Sequence, residues 1–248
     1  MVVLLTDFGQ SEYVGVMKAV LYSVNSDAKI VDLCHSIKPQ SIIEASWILK
    51  NNYKYFPEGA VFCCVVDPGV GTDRRAIAVQ TDKYYFVGPD NGLLWETLAE
   101  QEIIQTRQIP VPPEASRTFH GRDVFAKAAA AIDMGEFRQI GLKVENIKKM
   151  QLYQNGREGI VVRIDRFGNI VTNISRQAED NYTVAIGEKQ YFMVCQPNYE
   201  SAKEGGLFLI EGSSRTLEIS LKNGNANDKL HLKTADMLKI LPRAWPGG

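Results

Sequence analysis

Short apolar runs alternate with segments of helical periodicity over the first 150 residues. The apolar runs predict strands, and apolar positions that recur with a helical spacing predict helices between them. The predicted strands cover residues 2–5, 30–33, 61–66, 76–80 and 84–87. The predicted helices cover residues 13–24, 41–51, 92–100 and 123–134. Strands that alternate with helices indicate a layered α/β domain with a mostly parallel sheet.

The pattern changes after residue 150, where short apolar runs follow one another and no helix of ten residues fits. The predicted strands there cover residues 159–165, 170–174, 182–186, 190–194, 207–210 and 217–221. This spacing predicts a small antiparallel barrel or sandwich. We therefore expect two domains, residues 1–152 and 153–248, and we interpret the last five residues, 244–248, as a frayed end or a docking tail.

The charge balance limits the partners. The chain of 248 residues has 45% hydrophobic and 23% charged residues, which is typical of a soluble globular protein. With 28 basic and 29 acidic residues the net charge is −1. The chain therefore has no excess of positive charge that would attract nucleic acid or an anionic membrane. We expect neither as a partner.

The cysteines and the first residues indicate a cytoplasmic protein. The chain has four cysteines and no CxxC spacing, and the adjacent Cys63 and Cys64 point to opposite faces of a predicted strand. We therefore predict reduced, buried thiols and no metal site. The apolar run at residues 1–5 is too short for a signal peptide or a membrane span.

Acidic residues follow three of the predicted strands: Asp7, Asp67 and Asp90. In open parallel sheets, ligands bind beyond the carboxyl ends of the strands. A carboxylate there matches a ribose diol by accepting two hydrogen bonds, although Asp7 also suits a simple turn or helix cap.

The loop at residues 67–75 and the segment at 118–123 carry further candidate chemistry. Arg74 or Arg75 supplies a permanent positive charge, which either serves a ligand or pairs with Asp67 to brace the loop. The GxxxxGK[ST] pattern of a phosphate-binding loop is absent. His120, in a loop rich in glycine, is suited to proton transfer, and a histidine that binds backbone at a helix entry is the alternative.

Two loops of the second domain suit a purine and a carboxylate. Phe167 offers a stacking face and Asn169 pairs with an adenine edge, although a hairpin turn explains the same residues. Ser214 and Arg215 suit a carboxylate, with a solvated loop as the alternative.

Five motifs occur in an order and spacing that resemble a known family. They are TDFG at 6–9, VDPGVGTDRR at 66–75, FVGPDNGLL at 86–94, TFHGRDVFA at 118–126 and IDRFGNIVTNI at 164–174. The chain resembles, over nearly its whole length, the S-adenosyl-L-methionine hydroxide adenosyltransferases, formerly a domain of unknown function and related to fluorinases and chlorinases.

The resemblance implies an α/β domain, a β-barrel domain and a homotrimer whose active sites lie between subunits. It implies hydrolysis of S-adenosyl-L-methionine to adenosine and L-methionine without a cofactor. The implied catalytic residues are Asp67, Arg74 and His120. The implied substrate-binding residues are Asp7 at the ribose, Asn169 at the adenine, Ser214 and Arg215 at the methionine carboxylate, Asp165 at its amine, and the lining residues Phe8, Tyr13, Phe167 and Tyr199.

The expected mechanism is attack on the ribose C5′ in line with the departing sulfur. The sulfonium is a good leaving group, so catalysis must supply the nucleophile. We expect Asp67 to position a water, His120 to help accept its proton and Arg74 to stabilise developing hydroxide while holding Asp67.

Three alternatives remain at this point. A sensor that binds S-adenosyl-L-methionine or adenosine without turnover needs only the binding residues. A halogenase that makes 5′-chloroadenosine is disfavoured, because related halogenases lack an acid at the position of Asp67 and a carboxylate repels halide. In their halide pocket they carry a small hydroxyl residue, and the matching position here is Gly121. A nicotinamide-dependent enzyme is disfavoured because no GxGxxG follows the first strand.

Overall fold

A computed structural model describes residues 1–243, and the expected frayed end or docking tail at 244–248 lies outside them. The chain divides into two compact units, Met1–Gln151 and Leu152–Gly248. None of the helices described is long and apolar enough to cross a membrane.

The first unit is a seven-stranded sheet covered by helices on both faces. Its strands are β1 (Val2–Thr6), β2 (Ile30–Cys34), β3 (Val61–Val65), β4 (Ala76–Thr81), β5 (Tyr85–Pro89), β6 (Ile103–Ile109) and β7 (Leu142–Lys143). Its α-helices are α1 (Glu12–Val24), α2 (Ile42–Asn52), α3 (Trp95–Leu98) and α4 (Ala126–Asp133). Short 3-10 turns cover Tyr53–Tyr55 and Phe137–Gln139, and a π-helical turn, Gly121–Phe125, leads into α4.

The strand order is β2-β1-β3-β5-β4-β6-β7. Strands β2, β1, β3 and β5 pair in parallel, whereas β4 and β7 run antiparallel to their neighbours. The mostly parallel α/β sheet expected from the sequence is therefore confirmed.

Both faces of this sheet are buried, because successive side chains of a strand point to opposite sides. Cys63 packs in the apolar layer on one face and Cys64 in the layer on the other. Burial raises the pKa of the Cys63 thiol to about 12 and also raises that of Cys64. All four cysteines are free, and Cys63, Cys64 and Cys195 are buried as predicted, whereas Cys34 is only partly buried.

The helices predicted at 92–100 and 123–134 are shorter in the structure, and β6 was not predicted. Gly92 has a φ of +100°, which an α-helix excludes, so the first helix is only the four residues of α3. The segment before Ala126 forms the π-helical turn instead of regular α-helix. Strand β6 lies near the sheet edge and keeps two exposed isoleucines, so its burial pattern does not resemble that of the central strands.

The second unit is a closed seven-stranded barrel with the order β10-β11-β12-β13-β9-β8-β14. Its strands are β8 (Glu158–Ile164), β9 (Ile170–Ser175), β10 (Asn181–Ile186), β11 (Lys189–Gln196), β12 (Leu207–Glu211), β13 (Thr216–Leu221) and β14 (Met237–Pro242). The short helix α5 covers Asn227–Leu230. The barrel expected from the sequence is confirmed, and β14, which was not predicted, closes it between β10 and β8.

One pair of barrel strands is parallel, which the sequence did not indicate. Cys195 of β11 pairs with Leu209 of β12, and Gln196 pairs with Ile210. The segment 197–206 must therefore cross over the barrel end before β12 begins. The remaining pairs are antiparallel.

Phe62 is the aromatic centre of one face of the sheet. It is fully buried, stacks on Phe86 with ring centroids 5.2 Å apart, and has edge contacts with Phe56 and Tyr84. We expect Phe62→Ala to destabilise the protein by about 3–5 kcal/mol, because it leaves a large cavity. Thermal and urea unfolding should show this loss, whereas Tyr55→Ala, at a side chain that is 74% exposed, should leave stability nearly unchanged. Equal effects of the two substitutions would contradict this packing.

Candidate active site

Two acidic residues meet at the carboxyl edge of the sheet. Strands β1 and β3 are parallel neighbours with Thr6 opposite Val65, so Asp7 and Asp67 emerge at the same edge. Both line a cavity of about 310 Å³. The other lining residues are Phe8, Ser11, Tyr13, Pro39, Gln40, Val65, Val70, Thr118, Phe119, His120 and Gly121. The cavity is therefore built from the TDFG, DPGVG and TFHG motifs together.

Arg74 joins Asp67 to His120. Its Nε lies 2.9 Å from each Asp67 oxygen, and its Nη2 donates to Oδ2 of the same carboxylate. The same Nη2 lies 2.8 Å from Nδ1 of His120, and the guanidinium packs over the Phe125 ring at 5.2 Å. The three residues that the resemblance implies as catalytic are thus joined through Arg74.

This contact determines the protonation of His120. A guanidinium only donates hydrogen bonds, so Nδ1 must accept, and the proton of the neutral ring is on Nε2. Burial and the charge of Arg74 lower the pKa of His120, while Asp67 and Asp123 oppose the shift. His120 is therefore neutral at neutral pH, with its basic nitrogen directed at Arg74.

Arg74 also has an unused donor. The Arg74 and Asp67 side chains are only 10% and 5% exposed. Nη1 of Arg74 is buried and has no hydrogen-bond acceptor among residues 1–243. A buried donor without a partner is costly, so an oxygen atom that reaches this group would be bound favourably.

Arg75, the other arginine considered from the sequence, braces the loop. Its Nε lies 2.9 Å from Oδ2 of Asp90, and its Nη2 donates to the Asn146 carbonyl. Oδ1 of Asp90 accepts from the Lys148 backbone N–H at 2.6 Å. Arg75 and Asp90 are therefore structural, and Arg74 is the arginine of the cluster.

Asp7 has a partner that the sequence did not reveal. Its Oδ2 accepts from the backbone N–H of Gln40 at 2.7 Å, and Gln40 has a φ of +66°. Burial raises the pKa of Asp7, and the Gln40 hydrogen bond partly offsets the shift. One carboxylate oxygen of Asp7 is thus fixed by the backbone.

His35 holds the strand end behind Asp7. Its Nδ1 lies 2.8 Å from the Thr6 hydroxyl, and its carbonyl accepts from the Gly9 N–H at 2.7 Å. Sequence reasoning passed over His35 in favour of His120, and its only signal was its position directly after a predicted strand. It positions the TDFG turn.

Three aromatic rings form one wall of the cavity. Phe8, Tyr13 and Phe119 make edge contacts with centroids 4.9–5.8 Å apart. Phe8 and Tyr13 were nominated from the resemblance, whereas Phe119 was not, although it belongs to the TFHG motif. The wall offers an apolar face beside the charged cluster.

The barrel unit has a cavity of its own, of about 610 Å³. Four nominated residues line it: Asp165, Phe167, Asn169 and Tyr199. The other lining residues are Glu200, Leu221, Lys222, Asn223 and Gly224. Phe167 is 63% exposed, and the Arg166 guanidinium lies 4.8 Å from its ring centre, so one aromatic face is available for stacking.

Asp165 organises the loop that carries Phe167 and Asn169. Its Oδ1 accepts from the backbone N–H groups of Phe167 and Asn169 at 2.8 and 2.9 Å, and its Oδ2 accepts from the Asn169 amide at 2.9 Å. Gly168, at φ +83°, is required, because a Cβ there would lie 1.9 Å from the Asn225 side chain. Asp165 therefore fixes the orientation of Asn169.

Ser214 and Arg215 lie in the turn between β12 and β13, and neither lines the 610 Å³ cavity as described. The Arg215 N–H donates to the Gly212 carbonyl at 2.9 Å, and Arg215 has a φ of +59°.

Among residues 1–243, no group of three or more histidine, cysteine or acidic side chains is arranged to hold a metal ion.

These features define a class of protein with an α/β domain, an Asp–Arg–His cluster at the edge of its sheet, and a β-barrel with an aromatic-lined cavity. Residues 2–141 match the model of the SAM hydroxide adenosyltransferase N-terminal domain, and residues 159–239 match that of the C-terminal domain. The chain belongs to the SAM hydroxide adenosyltransferase family.

Individual relatives agree with this assignment. The chain is 36% identical to the (R)-S-adenosyl-L-methionine hydrolase of Thermus thermophilus, over 96% of this chain and 98% of that protein. It is 26% identical to the fluorinase of Actinopolyspora mzabensis, over 74% of each chain. A crystal structure of an uncharacterized conserved protein from Thermotoga maritima aligns with a TM-score of 0.88 and 34% identity, over 97% of this chain and 100% of that one.

The Arg74–His120 contact predicts how the histidine titrates. We expect His120 to titrate below the usual 6.5, and Arg74→Met to raise its pKa because a nearby positive charge is removed. The imidazole resonances in NMR spectra measure both values, and the chain has only three histidines to assign. Arg75→Met is the matched control, since Arg75 binds Asp90 instead. An unchanged His120 pKa in Arg74→Met would contradict the contact.

Proposed function

We propose that this protein hydrolyses S-adenosyl-L-methionine to adenosine and L-methionine. The observation that carries the proposal is the Asp67–Arg74–His120 contact beside the 310 Å³ cavity. Family membership and the similarity to an (R)-S-adenosyl-L-methionine hydrolase support it. The aromatic walls of the two cavities suit the apolar faces of a nucleoside and a thioether.

The proposed substrate contacts follow from the groups in each cavity. Asp7, with one oxygen on Gln40, accepts hydrogen bonds from the ribose diol, and Phe8 and Tyr13 pack against the sugar and sulfur. In the barrel unit, Phe167 stacks on adenine, Asn169 pairs with its edge and Tyr199 closes the opposite side. Asp165 serves the methionine amine, and Ser214 and Arg215 serve its carboxylate.

The reaction forms a C5′–O bond and breaks the C5′–S bond. The bonding electron pair leaves with sulfur, which becomes the neutral thioether of methionine, so no acid and no metal or organic cofactor is needed for the leaving group. A water attacks from the opposite side and must lose one proton. Positioning this water and assisting that loss are the tasks of the protein.

Asp67 is the proposed proton acceptor, in place of His120. The expectation that His120 helps accept the proton conflicts with its geometry, because its unprotonated Nδ1 already accepts from Arg74. Asp67 has the second carboxylate of the cavity and orients the water, while the free Nη1 of Arg74 donates to the developing hydroxide. Neutral His120 fixes the guanidinium and offers its Nε2–H as a further donor.

Removing Asp67 or His120 should abolish most turnover. We expect Asp67→Ala and His120→Ala to lower kcat for adenosine release about 10²–10⁴-fold, the usual contribution of proton transfer and orientation. Chromatography of adenosine at saturating substrate measures this. Asp73→Ala, which removes an exposed acid from the same loop, is the control and should keep full activity.

The same assay distinguishes the alternative functions. A sensor would bind S-adenosyl-L-methionine in calorimetry but release no adenosine from the wild-type protein. A halogenase would make 5′-chloroadenosine when chloride is added in 100-fold excess over the protein. Wild-type adenosine release by both Asp67→Ala and His120→Ala would refute the mechanism while leaving the reaction itself established.

The barrel cavity should control affinity. We expect Phe167→Ala and Asn169→Ala each to raise KM about 10-fold or more with a smaller change in kcat, because stacking and base-edge hydrogen bonds are each worth about 1–3 kcal/mol. Steady-state kinetics measure this, with Phe192→Ala, which removes another exposed barrel phenylalanine, as the control. A fall in kcat alone would assign Phe167 and Asn169 a different role.

The assembly we propose is a homotrimer in the cytoplasm, with each active site shared by neighbouring subunits. The catalytic cluster and the adenine-binding groups belong to separately compact units, so one substrate molecule must contact both. Free cysteines support a reducing compartment. Light scattering tests the oligomeric state directly.

Subunit mixing tests the shared site. After reversible dissociation, Asp67→Ala subunits are mixed with subunits that carry both Phe167→Ala and Asn169→Ala, and the mixture is assayed well below KM. If each site combines an α/β unit with the barrel unit of a neighbour, roughly a quarter of the sites should then be restored, as random closed assembly requires. Sites built within single chains would show no gain over the two variants assayed separately. Wild-type subunits taken through the same dissociation give the reference for full recovery.

A further inference from the structure

A chain of four polar side chains lies behind the TDFG turn, and the proposed mechanism does not use it. It begins on α1, where Nζ of Lys18 donates to Oδ2 of Asp32 at 2.6 Å. Oδ1 of Asp32 lies 3.0 Å from Nε2 of His35, and Nδ1 of His35 lies 2.8 Å from the Thr6 hydroxyl. None of the four lines the 310 Å³ cavity as described. The chain therefore acts on the site only through the end of β1.

The charges along this chain determine which atoms donate. Burial alone would raise the pKa of Asp32, but Lys18 and His35 outweigh burial and lower it, so the carboxylate is ionised at neutral pH. An ionised carboxylate beside Nε2 favours a proton on that nitrogen, so Nδ1 of the neutral ring accepts from the Thr6 hydroxyl. The Thr6 oxygen in turn accepts from the Phe8 backbone N–H at 3.3 Å.

The segment that carries His35 also holds the turn on both sides of Asp7. The His35 ring contacts Thr6, which is fully buried and directly precedes Asp7, and the His35 carbonyl accepts from the Gly9 N–H at 2.7 Å. At the other end of the segment, the Gln40 N–H donates to Oδ2 of Asp7 at 2.7 Å. One stretch of six residues thus holds the turn before, at and after its carboxylate.

The turn needs such support because little else in the sheet holds it. Thr6 is the last residue of β1 that pairs with β3, so Asp7 lies beyond the ladder, and Gly9 follows at a φ of +63°. A ribose diol offers two hydroxyl groups at fixed separation, so the carboxylate that binds it must keep one orientation. If the turn had to be ordered when the ligand binds, that ordering would weaken binding.

Resting on the proposed function, in which Asp7 binds the ribose diol, we propose that His35 is a positioning residue for ribose recognition. It anchors the TDFG turn through Thr6 and Gly9 and keeps the Asp7 carboxylate oriented for the two hydroxyl groups before the nucleoside arrives. A nucleoside without the diol gains nothing from this orientation, so its affinity does not depend on His35.

The experiment measures binding of adenosine and of 2′,3′-dideoxyadenosine by calorimetry. We expect His35→Ala to weaken adenosine binding about 3- to 10-fold, the usual effect of having to order one side chain on binding, and to leave the dideoxy compound unchanged. Asp7→Ala should remove the preference for adenosine altogether. His231→Asn, at an exposed histidine outside both cavities, is the control and should keep the wild-type preference.

A second variant keeps the test independent of a folding defect. Thr6→Val removes the hydroxyl at nearly constant volume, and it should cause the same selective loss as His35→Ala. Since both act through one contact, the double variant should bind adenosine no more weakly than either single variant. Equal losses for the two nucleosides, or additive losses in the double variant, would overturn the proposal. Thermal unfolding of each variant shows whether it is folded.

Steady-state kinetics provide a further readout. His35 touches no member of the Asp67–Arg74–His120 cluster, so we expect His35→Ala to raise KM for S-adenosyl-L-methionine about as much as it weakens adenosine binding, with a smaller change in kcat. A fall in kcat at unchanged KM would contradict a role in ribose recognition.

Binding measurements separate this proposal from the proposed function, because they require no turnover. If the wild-type protein released no adenosine from S-adenosyl-L-methionine, yet His35→Ala selectively weakened adenosine binding, only the proposed function would fail. If the wild type hydrolysed the substrate and Asp7→Ala lost the preference for adenosine while His35→Ala kept it, only the role of His35 would fail.

Discussion

The guanidinium of Arg74 is the group on which the α/β site depends. A buried positive charge is tolerated only when its partners surround it, and here Asp67 supplies a carboxylate, His120 a nitrogen lone pair and Phe125 an aromatic face. Asp67 lies in the loop after β3, whereas His120 and Phe125 belong to the segment that leads into α4, so the charge ties these two parts of the chain together. The same contact sets the tautomer of the histidine, because Nδ1 must accept the hydrogen bond from the guanidinium. Chemistry and local folding are consequently determined together.

Parallel pairing brings the rest of that site together. Because β1 and β3 are adjacent and parallel, the loops that follow them bring Asp7 and Asp67 together at one edge of the sheet. Hydrogen bonds then restrict both carboxylates, because the Gln40 backbone N–H binds one oxygen of Asp7 and the Arg74 guanidinium binds both oxygens of Asp67. Asp165 in the barrel is limited in the same way by its own loop.

Sequence reasoning predicted the fold class well because both of its signals are local. Buried strands appear in the sequence as apolar runs. The change of pattern near residue 150 marks the passage from the sheet covered by helices to the β-barrel. It could not predict the parallel pairing of β11 with β12, since nothing local encodes which strand a crossing segment reaches. For the sites, motifs nominated Asp67, Arg74 and His120, but only coordinates reveal which histidine nitrogen faces the arginine. Gln40 acts through its backbone N–H, and His35 acts through its carbonyl and through ring contacts with Thr6 and Asp32, so neither residue type gave a signal that could be recognised in the sequence.

The burial of Cys63, Cys64 and Cys195 has a chemical consequence of its own. S-adenosyl-L-methionine is an alkylating agent, and its sulfonium reacts most readily with thiolates. Burial raises the pKa of all three thiols, so almost none of their sulfur is ionised at neutral pH. A protein that concentrates such a reagent in its cavities thus keeps these nucleophiles protonated and enclosed. Packing that was selected for a dense core also protects the catalyst from modification by its own substrate.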